Sequence, residues 1–298
     1  MRTTKRFTPK VIARFVLQGR GEGTYADYIP WHCVSRGDPA SSGRSHLLMW
    51  RSRLRELLSD GELGEQLFAT MLPDLDDSLE QYKLSPEDAP HPLAAYGERD
   101  IHTLFPGTEK LAKKLGIKHP ILSDADETVL WKPSTDLLLV IKPKGRARRL
   151  LALAFKPRDW DKKKRTRQLL CLEREFWLCR DAEWLLITPD LYDERVVLTL
   201  RRIGCWALGE EAPVEFRLIA AKVARQNPGH SVTRLLEEIQ ALVGALELAQ
   251  RALWQAIWYG ELPIDLKRGW RPHVPLKHVS PDEFTALNPI SARRSSWI

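Results

Sequence analysis

The 298-residue sequence lacks the cysteine and histidine patterns that mark disulfide scaffolds and zinc sites. It contains four cysteines, and no two of them form a CxxC pair. Its eight histidines include no HExxH motif and no cluster with cysteine, so we expect no structural zinc site. Cysteines this sparse and scattered predict reduced thiols in a cytoplasmic protein.

Motifs of several other protein classes are also missing. There is no P-loop, no GxGxxG and no internal repeat, which argues against the common nucleotide-binding folds and repeat architectures. No apolar run approaches the roughly 18 residues that a membrane-spanning helix needs. The apolar stretch near the N-terminus is short and interrupted by Arg14, which argues against a signal peptide. We therefore expect no membrane association.

Positive charge is abundant and unevenly distributed. The formal net charge is +7, and between Lys142 and Arg167 twelve Lys or Arg residues face only two Asp, a local net charge of +10. A basic surface of this kind favours a polyanionic partner such as nucleic acid. An apolar fraction of 43% with 11 Trp supports sizeable hydrophobic cores.

The order of predicted elements indicates an α/β core with a mixed sheet, followed by a mainly helical region. A helical pattern runs from Leu47 to Leu72 with a break at Ser59, which can cap the helix that begins near Gly61. Two strands, an amphipathic helix at 164–179 and a further strand follow. The predicted domains are 1–188, with a basic N-terminal arm, and a helical domain at 189–274, with a tail at 275–298.

The segment STDLLLVIKPKGRARRLLALAFK, residues 134–156, predicts a hairpin centred on Gly145. Asp136 then lies opposite residues 154–155, and Ala154 and Lys156 project from one face because strand side chains alternate. A carboxylate that holds Mg²⁺ beside a lysine that offsets negative charge is a combination that nucleases require. The alternative is a weak surface ion pair.

Two further carboxylates are candidates for the same place. Glu62 and Glu65 are three residues apart on one predicted helix, so they share a face that can point at the sheet. The alternative is an exposed acidic face of the helix.

Six short motifs, in order, resemble the TnsA family of transposon endonuclease subunits. They are LLSDGEL (57–63), LEQYKL (79–84), LAKKLGIKHP (111–120), STDLLLV (134–140), AFKP (154–157) and LEREFW (172–177). Each motif is weakly specific, whereas their order and spacing over about residues 25–188 are together fairly specific. The resemblance implies a restriction-endonuclease-like core and a winged-helix-like C-terminal domain.

The resemblance also implies which residues form the active site. It assigns catalysis to Glu62, with Glu65 as the alternative, and to Asp136 and Lys156. The implied cofactor is Mg²⁺, with Mn²⁺ as a substitute. This chain departs from the restriction-enzyme signature because Ala154, two residues before the lysine, has no side-chain ligand. The metal ligands are then expected to be Glu62, Asp136, the Phe155 carbonyl and Glu173.

The implied function is cleavage of the 5′ strands at transposon ends during cut-and-paste transposition. The implied partners are double-stranded DNA, a TnsB-type transposase and a TnsC-type ATP-dependent regulator. An alternative, favoured by Ala154, is a non-catalytic DNA-binding assembly subunit. The sequence leaves open which transposon ends are recognised and whether the protein cuts without its partners.

Two further surfaces are predicted from composition. The basic run beside the site offers phosphate contacts from Lys162, Lys163, Lys164, Arg165 and Arg167. The tail has few apolar residues, so we expect it to be mobile when free. Its spaced large side chains are expected to fill pockets on the TnsC-type partner; they are Phe284, Leu287, Ile290 and Trp297.

Overall fold

The computed structural model describes residues 7–35, 44–124 and 127–297, so part of the predicted N-terminal arm, at 1–6 and 36–43, lies outside the described residues. The helices are α1 (Pro9–Leu17), α2 (Asp60–Thr70), α3 (Thr108–Lys114), α4 (Lys164–Leu178), α5 (Glu194–Ala207), α6 (Val214–Gln226), α7 (Val232–Val243), α8 (Leu246–Trp258) and α9 (Pro281–Leu287). The strands are β1 (His46–Trp50), β2 (Arg53–Leu57), β3 (Leu75–Lys83), β4 (Ala89–Pro90), β5 (Leu104–Phe105), β6 (Ile121–Asp124), β7 (Glu127–Leu130), β8 (Ser134–Ile141), β9 (Arg149–Phe155) and β10 (Glu183–Ile187).

A four-stranded mixed sheet with the order β10-β9-β8-β3 forms the centre of the fold. Strand β10 runs parallel to β9, whereas β9 and β8 are antiparallel, as are β8 and β3. The β8–β9 register runs from Leu137 opposite Leu153 to Ile141 opposite Arg149, so the hairpin centres on Gly145. The predicted mixed α/β sheet and the predicted hairpin register are both confirmed.

The alternation of apolar side chains along β8 and β9 divides them between two cores. Leu137 and Leu139 belong to a cluster with α2, α5 and the C-terminal helices. Leu138 and Val140 belong to a second cluster, which includes residues of α3 and α4. Because both faces of these strands are covered, their near-continuous apolar sequence is explained.

The helix predicted to begin at Leu47 is wrong in its first half. Residues 46–57 form the antiparallel hairpin β1–β2, whose side chains alternate between buried and exposed positions. Arg51 turns the chain with a positive φ of 52°. The second half is confirmed: the Ser59 side chain accepts a hydrogen bond from the Glu62 N–H and α2 follows.

Helix α2 is enclosed by the fold. Every residue from 61 to 70 is buried, so the alternative of an exposed acidic face is wrong. The helix packs against β8, β9 and α5, which surround it with apolar side chains. At its start, a Cβ on Gly61 would lie 2.0 Å from the Phe155 ring, so only glycine allows the helix to approach the end of β9 this closely.

The C-terminal region is helical, as predicted. Within the described part of residues 188–298, strand-like pairing is confined to two isolated bridges, Ser231–Pro275 and Ile264–His278. The winged-helix-like arrangement and the domain boundaries stay predictions. Along the described ranges, no helix combines the length and apolar character that membrane crossing requires.

The expectation of a mobile tail is wrong for the described residues. Phe284 and Ile290 are buried in the larger core, and Leu287 packs against it. The Ser296 N–H donates to the Leu186 carbonyl at 2.8 Å, which covers part of the outer edge of β10. Trp297 stacks on Trp160, with 5.5 Å between the ring centroids. The spaced anchors therefore fill intramolecular sites, and their partner-binding role stays a prediction.

The glycine contact at the start of α2 leads to a stability prediction. Gly61→Ala should lower the free energy of unfolding by about 1–3 kcal/mol, because its methyl group collides with the Phe155 ring. Gly64→Ala in the same helix is the matched control, since its Cβ would meet Val197 at an ordinary 3.6 Å. Helix propensity should make that control neutral or stabilising. Urea denaturation of both variants measures the difference, and equal stabilities would contradict the packing argument.

Candidate active site

Asp136 and Lys156 meet where the β8–β9 hairpin opens. Asp136 Oδ2 accepts hydrogen bonds from the Phe155 N–H at 2.8 Å and from Lys156 Nζ at 3.0 Å. Lys156 Nζ also donates to the Phe155 carbonyl at 2.6 Å. The ammonium therefore bridges two of the oxygen donors that the sequence assigns to a metal ion. The two side chains are 17% and 28% exposed, which is more enclosed than a solvated surface pair.

Glu62 reaches this place from the first turn of α2. Its Oε2 accepts hydrogen bonds from the Leu58 N–H at 2.8 Å and from Gln81 Nε2 at 3.2 Å. Its Oε1 accepts from the Ser59 hydroxyl at 3.3 Å. Glu62 thus stabilises the start of the helix as well as facing Asp136.

Gln81 is a site residue that the sequence reasoning used only as a spacing marker. It falls between the pairs Glu80–Leu137 and Tyr82–Thr135, and therefore opposite Asp136. Its φ of +49° is uncommon for a residue with a side chain and interrupts the strand there. Its side chain donates to Glu62 and accepts from the Ser134 hydroxyl at 2.9 Å. The hydrogen bond from Gln81 to Glu62 therefore links β3 to α2.

Glu65 lies one turn further along α2 and is 1% exposed. Neither of its carboxylate oxygens has a hydrogen-bond partner among the described residues. Burial raises the pKa of Glu65 well above its ordinary value, and repulsion from Asp136 and Glu62 raises it further. The alternative assignment of the α2 carboxylate to Glu65 therefore has structural support beside that for Glu62.

Glu173, from α4, approaches the same place from the other side of the sheet. Its Oε1 accepts hydrogen bonds from the Thr135 hydroxyl at 2.9 Å and from Trp184 Nε1 at 3.3 Å. Burial raises the pKa of Glu173 to about 7, although the positive charge of Lys156 opposes the rise. The expected helper carboxylate is therefore within electrostatic reach of the hairpin residues.

The four carboxylates Glu62, Glu65, Asp136 and Glu173, called the acidic cluster below, share one lysine. Burial raises the pKa of Glu62 to about 7, and repulsion from Asp136 adds to this rise. Burial lowers the pKa of Lys156, but the carboxylates of Asp136 and Glu173 raise it more, so the ammonium stays charged at neutral pH. Crowding and burial thus oppose ionisation of these carboxyls, and a bound cation would favour their charged forms.

The acidic cluster does not form a complete metal-binding site by itself. Over the described ranges, no three His, Cys, Asp or Glu side chains converge closely enough to hold a metal ion by themselves. Mg²⁺ fits such a donor set, because it keeps several water ligands and takes one or two carboxylates together with substrate phosphate. The unpartnered oxygens of Glu65 show that donor capacity remains.

The predicted phosphate contacts are exposed at the start of α4. Lys162 pairs with Asp159 at 3.0 Å, whereas the other four residues make no ion pair within the described chain. Lys163 occupies the N-cap position of α4 without a side-chain cap, so backbone N–H groups at this end are open to an anion. At 1.5 Å per residue, the helix start lies about 14 Å from Glu173.

Comparison with known proteins tests the resemblance to the TnsA family. No protein-family model matches the chain. Over 184 residues it is 32% identical to the transposon Tn7 transposition protein TnsA of Escherichia coli, which covers 61% of this chain. The chain spans 58% of that relative's length. This match confirms the resemblance to TnsA that the ordered motifs predict.

Proposed function

We propose that this chain is the Mg²⁺-dependent endonuclease subunit of a heteromeric transposase, which cuts the 5′ strands at transposon ends. The observation that carries the proposal is the convergence of Asp136, Lys156 and buried carboxylates at the open end of the hairpin. The similarity to TnsA supports transposition as the setting. The proposed protein has a restriction-endonuclease-like core, and it acts on DNA in the cytoplasm.

The residues that would hold the cation are Glu62, Asp136, Glu173 and the Phe155 carbonyl. A bound divalent cation would offset charge on the phosphate and lower the pKa of a water nucleophile. Lys156 must then share or release its bonds to Asp136 and the Phe155 carbonyl. The freed ammonium, which stays protonated, can offset negative charge that develops on the scissile phosphate.

DNA would lie across the exposed start of α4. The residues Lys163, Lys164, Arg165 and Arg167 are free of ion pairs with the described chain, so their charge is available to phosphates. Such contacts supply affinity and salt dependence and little sequence reading. Recognition of the transposon ends and the 3′-strand reactions would then belong to a TnsB-type transposase, and regulation to a TnsC-type ATPase.

A non-catalytic assembly subunit is the second candidate, and Ala154 is the observation that favours it. This residue is fully buried and offers no side-chain oxygen two positions before Lys156. In that case the basic surface and the partner contacts remain, while the acidic cluster no longer supports cleavage.

Asp136→Ala should reduce 5′-strand cleavage to the level seen without Mg²⁺, because it removes the carboxylate shared by Lys156 and the cation. Lys156→Ala should lower cleavage by about 10²–10⁴-fold and leave cation binding intact. The matched control is Glu175→Gln, which changes a carboxylate of α4 that pairs with the exposed Lys114. A strand-resolved assay on a transposon end, with partner proteins and Mg²⁺ present, measures all three variants.

Undiminished cutting by Asp136→Ala would refute the active-site assignment. If the wild-type protein leaves the 5′ strands intact while its partners still cut and join the 3′ strands, the assembly-subunit reading is correct. The Glu175→Gln control should cut like the wild type, since its side chain lies outside the acidic cluster.

Neutralising the start of α4 should weaken DNA binding in all sequence contexts. Replacing Lys164, Arg165 and Arg167 with Gln removes up to three phosphate contacts. The slope of log K against log [salt] should then become shallower by about 0.9 for each phosphate that the protein no longer neutralises. The control, Lys222→Gln, removes an exposed charge from α6. Fluorescence anisotropy over a salt series measures the slopes, and an unchanged slope would place the DNA on another surface.

A further inference from the structure

Glu65 differs from the other buried carboxylates of the described chain, which are Glu62, Asp77, Glu80 and Glu173. Each of those four accepts hydrogen bonds; Glu80, for example, accepts two from the guanidinium of Arg53. Glu65 is as deeply buried as Asp77, yet both of its oxygens lack a donor. Among the described residues, the fold thus supplies hydrogen-bond partners for every buried acid except Glu65, which lies in the acidic cluster.

A buried carboxylate without hydrogen-bond donors is energetically unfavourable unless another group or ion stabilises it. A buried polar group without a hydrogen bond loses its hydration and gains nothing in return. The neighbours of Glu65 increase the cost, since Asp136 and Glu62 carry charge of the same sign. Lys156 opposes them, but its ammonium is already bonded to Asp136 and to the Phe155 carbonyl. An additional cation would satisfy Glu65 where the protein does not.

Helix α2 lies beside the end of β9, so a carboxylate of α2 can supply an oxygen donor that β9 lacks. Ala154, on β9, provides no side-chain oxygen. Gly61 allows the start of α2 to lie directly against the Phe155 ring at the end of the same strand. Glu62 and Glu65, three residues apart, share the helix face. Glu62 has hydrogen bonds on both oxygens, whereas Glu65 has none.

We propose that Glu65 is a ligand to the divalent cation and supplies, from the second turn of α2, the oxygen donor that Ala154 lacks. This inference rests on the proposed function of the same site. Glu65 then joins Asp136 at the cation with both of its oxygens unpartnered, whereas Glu62 also holds the helix start and Gln81. A buried carboxyl group without a hydrogen-bond partner reduces the stability of the empty protein.

The test combines cation binding with stability in the absence of a divalent cation. Mn²⁺ binding to the full chain is measured by isothermal titration calorimetry for wild type, Glu65→Gln and Asp136→Ala. We expect both variants to bind Mn²⁺ at least tenfold more weakly than wild type. With EDTA present, we expect Glu65→Gln and the shape-conserving Glu65→Met to unfold at the same temperature as wild type or a higher one.

Glu80→Gln is the matched control for the stability measurement, because Glu80 is equally buried but pairs with Arg53. It should unfold at a lower temperature than wild type. If the Glu65 variants are destabilised in the same way, Glu65 is a structural residue and the inference is overturned. Wild-type Mn²⁺ affinity in Glu65→Gln, with weakened binding in Asp136→Ala, would overturn the inference and leave the proposed function standing. Absence of Mn²⁺ binding by the wild-type protein would overturn both.

Discussion

The concentration of four carboxylates, three of them buried, around a single lysine is the constraint on which the functional interpretation depends. Burial and mutual repulsion raise the pKa of Glu62 and of Glu173 to about 7, and the ammonium of Lys156 compensates only part of the negative charge. A fold selected for stability alone gains little from such an arrangement, because buried unpaired charge is costly. The excess is understandable if a cation completes the site.

Three elements with different sequence signals hold this arrangement together. The β8–β9 hairpin places Asp136 beside Lys156 through the pairing of its strands. Helix α2 approaches the same end because Gly61 leaves room for the Phe155 ring. Gln81 interrupts β3 and bonds to the α2 carboxylate. The site is therefore built where a strand, a hairpin and a helix start meet, and the basic start of α4 lies beyond it.

The parts of the fold and the site whose determinants are local in sequence can be predicted from the sequence. The period-two pattern and Gly145 define the hairpin, and Ser59 defines the start of α2. The residues before Ser59 are ambiguous, because alternation in a short, arginine-rich hairpin also matches a helical pattern. The environment of Glu65 cannot be predicted, since its isolation depends on how distant elements pack around α2. The tail is unpredictable for the same reason: its sparse anchors, such as Ile290, find pockets in the chain itself.

The most direct test of the central claim is to locate a divalent cation in the protein. Crystals of the full chain soaked in Mn²⁺ and measured at the manganese absorption edge would show it as an anomalous peak. The account predicts one peak at the open end of the β8–β9 hairpin, within about 2.0–2.6 Å of Asp136 and an α2 carboxylate, with Lys156 displaced from its present bonds. A fully occupied peak elsewhere, with Lys156 still bridging Asp136 and the Phe155 carbonyl, would contradict it.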